Sequence, residues 1–139
     1  RRIRGDYQLN GADYRNRASF ADEIGRFSYP VDIHSSSTDP EEQKRVEEVI
    51  RALRYKRGES YGVPYRTLLP QGVENLLVAG RCVSCDREIQ SSIRVVPGCF
   101  ITGQAAGAAA AMCNGSRVRE VDITRLRDWL RSELEVYLP

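Results

Sequence analysis

Residues 75–111 restrict this chain more than any other stretch. An apolar run, Leu76-Leu77-Val78-Ala79-Gly80, stops on a glycine; a polar loop follows, and a Gly/Ala-rich segment opens at Pro97-Gly98. A short, unbroken apolar run of this kind predicts a strand buried on both faces. The segment beyond the loop predicts a helix from Pro97 to about Cys113, ended by Asn114-Gly115. Gly103, Gly107 and Ala110 fall at i, i+4 and i+7 and leave one face of that helix nearly bare. A backbone or a flat ligand can pack there at short range, and tight helix–sheet packing is the commoner cause of such a stripe.

The start of this helix has its own chemistry. Its first amides lack intrahelical partners and carry partial positive charge. Pro97 suits the first helical position, and Gly98 leaves room for a ligand to approach the backbone. Such an end suits an anion or an electron-rich carbonyl, of which the pyrimidine edge of a reduced flavin is one example.

Elsewhere the pattern predicts a strand over residues 3–9, a short helix capped by Asn10, and a further helical turn or two over 20–27. Residues 28–34 read as extended, because Tyr29 precedes Pro30. Asp39 as a cap, Pro40 next, and Val46, Val49, Ile50 and Leu53 at helical spacing predict a surface helix over 39–57. A short strand is expected over 61–65, a turn-rich connection over 68–75, and a helix over 86–93. Asp122 caps a final amphipathic helix with Ile123, Leu126, Leu130, Leu134 and Tyr137 on one face.

Bulk composition narrows the function. Apolar residues make up 41% and charged residues 29%, as in soluble globular proteins. A net charge of +2, from 21 basic and 19 acidic residues, gives no reason to expect nucleic acid. No membrane span or targeting segment is expected, since the longest weakly polar stretch, 95–113, reads as a buried helix. Four cysteines are unlike a secreted disulfide scaffold and suggest a reducing, cytoplasmic setting.

Ala79-Gly80, the loop after it, and Val95-Val96-Pro97-Gly98 leading to Gly103-Gln104-Ala105-Ala106-Gly107 together resemble a known closing segment. It is that of FAD-dependent oxidoreductases of the two-dinucleotide-binding kind, distantly similar to fumarate reductase flavoproteins and the tRNA-modifying glucose-inhibited division flavoprotein. Arg1 to Tyr7, Tyr29 to His34 and Val63 to Arg66 are similar to the segments that precede it, in the same order.

The resemblance implies an α/β fragment: the last strand and covering helices of an FAD-binding Rossmann-like domain over residues 67–139. Residues 1–66 would be part of an α+β substrate domain, with a helical insertion at 39–57. In that family the chain passes the ribityl chain after Ala-Gly and starts a helix whose N-terminus meets the flavin ring edge. Cofactor contacts then fall to Gly80, Arg81, Arg94, Val95, Val96, Pro97 and Gly98, and the substrate side to His34 and Arg66. Many relatives carry an acidic residue where Arg81 stands, to hold a ribityl hydroxyl; Arg81 would reach a phosphate or a flavin oxygen instead.

These 139 residues contain no Gly-x-Gly-x-x-Gly followed by an acidic residue for the ribose, and they begin at Arg1 rather than methionine. The expectation is a C-terminal portion, inactive alone, whose partners are the N-terminal FAD-binding part of its own chain and a small-molecule substrate. Hydride would pass between flavin N5 and a substrate carbon; a homo-oligomer is compatible with this.

Two other readings stand beside it. One is a non-catalytic α/β module that docks through 39–57 and 122–137. The other is a small dithiol redox protein built on Cys82 and Cys85. No metal site is expected, because Cys99 and Cys113 lie about 21 Å apart on one helix and cannot both join that pair. His34, the only histidine, is either a proton donor or a loop residue. Arg66 either binds a substrate carboxylate or pairs with an acid such as Asp32, and Arg94 either balances charge on a reduced ring or forms an ion pair. Tyr61, Tyr65 and Trp129 read as packing residues.

Overall fold

Side-chain caps account for where most of the helices begin in the computed structural model, which describes residues 2–33, 38–113, 115 and 117–139. Asn10 accepts from the amides of Ala12 and Asp13 while Asp13 accepts from the Asn10 amide, and this reciprocal box opens α1 (Gly11–Arg15). Asp39 caps α2 (Pro40–Ala52), Asp86 caps α3 (Arg87–Ile93), and Asp122 caps α5 (Ile123–Leu134). The exception is α4 (Val96–Met112), whose N-cap is Val95 and has no side-chain cap.

Residues 20–27 depart from the helical expectation. They supply β1 (Glu23–Phe27), antiparallel to β2 (Tyr61–Pro64), with Arg26 opposite Gly62, Phe27 opposite Tyr61, and a bulge between Glu23 and Arg26. A surface helix would bury a single stripe, whereas Glu23, Ile24, Gly25 and Phe27 are all buried, the first two almost completely. Gly25 lets Ile101 of α4 press on the strand, its Cγ2 only 2.6 Å from where a Cβ would stand. This pair is the only sheet among the described residues.

The expected strands at 3–9 and 76–80 do not form as ladders. Residues 3–9 thread between two loops, with single bridges from Gly5 to Pro70 and from Leu9 to Cys85. Residues 76–79 run extended, tied by the Val78 amide to the Leu68 carbonyl at 2.9 Å, and Leu76 is 47% exposed. A strand buried on both faces needs neighbours on both edges, and no other described segment lies alongside to provide them.

One core joins both halves of the chain. Ile24, Tyr61, Val63 and Leu68 meet Ile89 and Ile93 of α3, Ala105 and Ala109 of α4, and Leu126 and Leu130 of α5. Tyr61 and Tyr65 pack as expected, and their hydroxyls are satisfied by Ser92 Oγ (3.0 Å) and by the Val118 carbonyl (2.8 Å). Beneath β1 lies a buried ion pair. Glu23 Oε1 accepts from Arg26 at 2.8 Å and from the Phe20 amide at 2.8 Å, while Arg26 also donates to Ser60 and Ser19.

Two helices end earlier than expected. The expected helix over 39–57 stops at Ala52, because Tyr55 turns inward to stack on Tyr14, ring centres 4.3 Å apart. None of its residues is buried. Beyond α5, Glu135 adopts φ +52 and the chain reverses, so Leu138 enters the core while Leu134 (42%) and Tyr137 (69%) stay exposed. Trp129 is also 38% exposed rather than packed. No single helix among the described residues is long and apolar enough to cross a membrane.

Candidate functional site

The polar loop folds back on the start of α4. Gly80 adopts φ +70, a left-handed conformation that suits glycine, and its amide donates to Thr102 Oγ1 of α4 at 2.9 Å. The 3-10 turn Gly80–Cys82 that follows carries Arg81, whose Nε donates to the Arg94 carbonyl at 3.1 Å. Arg94 is the C-cap of α3, and its guanidinium lies 3.4 Å from Asp32. Two residues later α4 begins, bent 93° from α3.

This folding brings Arg81, Arg94, Val95 and Val96 to one open groove of about 720 Å³. Ile33 and Asp32 form part of its wall, and α3 adds Arg87, Gln90 and Ser91. The lining thus holds three guanidinium groups and one carboxylate, next to the uncapped positive end of a 17-residue helix. Its chemistry suits an anionic or electron-rich planar group, with Ile33, Val95 and Val96 as the apolar floor.

Three of the expected contact residues, Gly80, Pro97 and Gly98, do not line the groove. Gly98 is buried, and a Cβ on it would stand 3.0 Å from the Ile93 carbonyl carbon and closer still to the Ile93 oxygen. Its missing side chain therefore lets α4 start against the end of α3. Pro97 is exposed at the helix start and does not line the groove. Nothing stands within 4 Å of a Cβ built on Gly103 or Gly107, and Val96 (56%) and Phe100 (68%) are exposed with them. The small-residue face of α4 is bare in this chain.

Arg66 is held outside the groove. Its Nε and Nη2 donate to the two oxygens of Asp22 at 2.9 and 3.1 Å, its backbone amide donates to the same carboxylate, and its guanidinium lies over the Tyr7 ring. The Asp22 hydrogen bonds push its already high pKa further up. The structural reading of Arg66 thus has Asp22 as the acid, and Asp32 pairs with Arg94 instead. His34 lies outside the described residues. Cys82 is exposed and Cys85 buried, and burial pushes the Cys85 thiol up to about 11, away from the reactive thiolate that dithiol chemistry needs. Among the described residues, no three His, Cys, Asp or Glu side chains gather where they could hold a metal.

Arg87, Gln90 and Ser91 are absent from the expected contacts, although a sequence signal places them beside Arg94. With Arg94 they stand at i, i+3, i+4 and i+7, one polar face of a helix whose other face, with Ile89 and Ile93, is buried. Asp32 and Ile33 lie in an irregular stretch, where the only signal was the resemblance of Tyr29 to His34.

The family model described as FAD dependent oxidoreductase matches residues 1–130, and the chain belongs to that family. No curated protein and no solved structure matches it.

Proposed function

We propose that this chain supplies the ring-edge side of an FAD site in an oxidoreductase that moves hydride to or from an organic substrate. Residues 67–139 would complete a Rossmann-like FAD-binding domain whose nucleotide cradle lies in the preceding part of the same protein. One observation carries this reading: the groove at the uncapped start of α4 gathers Arg81, Arg94, Val95 and Val96. FAD, when bound, supplies the centre that accepts or donates hydride. The residues of this chain do the rest. The first amides of α4, with Arg81, Arg87 and Arg94, oppose negative charge at the ring edge, and Ile33, Val95 and Val96 keep water from it. Asp32 orients Arg94, and the Arg94 carbonyl orients Arg81. Asp22 fixes Arg66 outside the groove, and its part there is structural. His34, next in sequence after Ile33, is the proposed proton donor. The bare face of α4 and the extended residues 76–79 would meet the sheet of the preceding part.

The test is the visible absorption of the full-length protein as purified, with the potential of its flavin. A yellow protein is expected, and Arg94→Gln should keep the flavin but lower its two-electron potential by on the order of 30 mV, equivalent to about 1.4 kcal/mol. A colourless protein that takes up no added FAD refutes the reading.

A further inference from the structure

A second cleft, of about 770 Å³, opens beside the groove, and its two walls come from separate parts of the chain. One wall is the aliphatic stripe of α2: Val46, Val49, Ile50 and Leu53. Val31 and Ile33 form the other, with Asp86, Arg87 and Glu88 at the start of α3. The stripe has the spacing of a helix made to be covered, yet no residue of α2 is buried and Val49 is 61% exposed. What covers it has to fit between two walls already in place.

Size and continuity identify the occupant. A helix about 10 Å wide would fill this volume over roughly 10 Å of its length, fewer than two turns, too little for a docked helix. A small organic molecule fits, since ligand pockets run from about 300 to 1,000 Å³. Ile33 and Arg87 line both the cleft and the groove, so the two spaces adjoin. The cleft is aliphatic along α2, apart from Arg45, and where it joins the groove Arg87 stands between Asp86 and Glu88, carboxylates already engaged by the Gly11 and Ile89 amides and by Arg15.

We propose that the cleft binds the apolar body of the substrate, an amphiphilic organic anion whose charged end lies toward Arg87. Its catalytic meaning rests on the flavin site proposed above, but its binding does not. α2, which contributes the aliphatic wall, is then the specificity element of the site.

Decanoate serves as the probe, with acetate as the control that shares its charge and lacks its body. Titrated calorimetrically into the full-length protein, decanoate should bind and acetate should not at the same concentrations. Val49→Asp puts a charge into the cleft at a position too exposed to threaten the fold, and it should weaken decanoate binding by roughly tenfold. Glu48→Gln, on the outer face of α2, should leave the affinity unchanged. No decanoate binding, or undiminished binding in the Val49→Asp variant, overturns the proposal. So does a wild-type dimer that Val49→Asp turns into monomers, for a second copy would then cover the stripe. A colourless protein that still binds decanoate through Val49 keeps the cleft and removes the flavin site.

Discussion

Gly98→Ala separates the two reasons a glycine can stand at the start of α4. If the glycine served a ligand, a methyl group would harm only binding, and the fold would gain from alanine's higher helix propensity by about 1 kcal/mol. The structure argues otherwise. The added carbon would stand 3.0 Å from both the Ile93 carbonyl carbon and its Cγ1, where carbon atoms settle at about 3.5–4.0 Å. The obstacle is backbone, so it cannot swing aside, and the junction of α3 and α4 must open by roughly 0.5–1 Å. Overpacking costs about 1–3 kcal/mol, and with the Ile93 backbone oxygen nearer still than these carbons the upper part, about 2–3 kcal/mol, applies here against a propensity gain of about 1 kcal/mol. A net loss of about 1–2 kcal/mol lowers the melting temperature by roughly 3–10 °C. The same shift moves Arg94, Val95 and Val96, and a displacement of about 1 Å at a reacting centre costs on the order of 100-fold in rate. Thermal melts followed by circular dichroism, with single-turnover flavin reduction in the full-length protein, read both effects. Gly107→Ala is the control on the 139-residue chain, because nothing lies within 4 Å of its added carbon; it should melt higher than wild type. If Gly98→Ala melts at or above wild type, the packing argument fails.

Arg26→Met leaves Glu23 buried without its cation and should cost about 3–5 kcal/mol in urea melts, part of which Glu23→Gln restores in the double variant; a cost below about 1 kcal/mol would show that water reaches the pair. Iodoacetamide at pH 8 should label exposed Cys82 and spare Cys85, as peptide mass spectrometry will show. The folded Cys85 thiol keeps its proton up to about 11, while the unfolded thiol releases it near 9.0, so its stabilising effect is complete below pH 9 and is lost as pH rises toward 11. Cys85→Ala should remove that part of the alkaline decline, and an unchanged slope would refute it.

Much of the helical content was legible because its signals are local. Asn10, Asp39 and Asp122 each cap the helix their position announced, and Val46, Val49, Ile50 and Leu53 share the side of α2 that lines the cleft. The groove was half legible: Arg81, Arg94, Val95 and Val96 came from the loop between an apolar run and a helix, while Arg87, Gln90 and Ser91 lay unread on a helical face. Where expectation failed, the deciding partner was distant in sequence. Residues 20–27 became a strand because Tyr61–Pro64 pairs with them, and Tyr137 yielded its place to Leu138 because Glu135 reverses the chain.

The sequence alone determined the caps, the helix after Gly80, and the resemblance that the family match bears out, since each depends on residues within a few positions of one another. Only the tertiary structure decided that Asp22 rather than Asp32 holds Arg66, that Gly98 makes room for the end of α3, and that α2 walls a cleft beside the groove. These outcomes are set by which surfaces meet in space. A side chain's identity states what it can bond to or make room for, but the fold chooses which neighbour stands there.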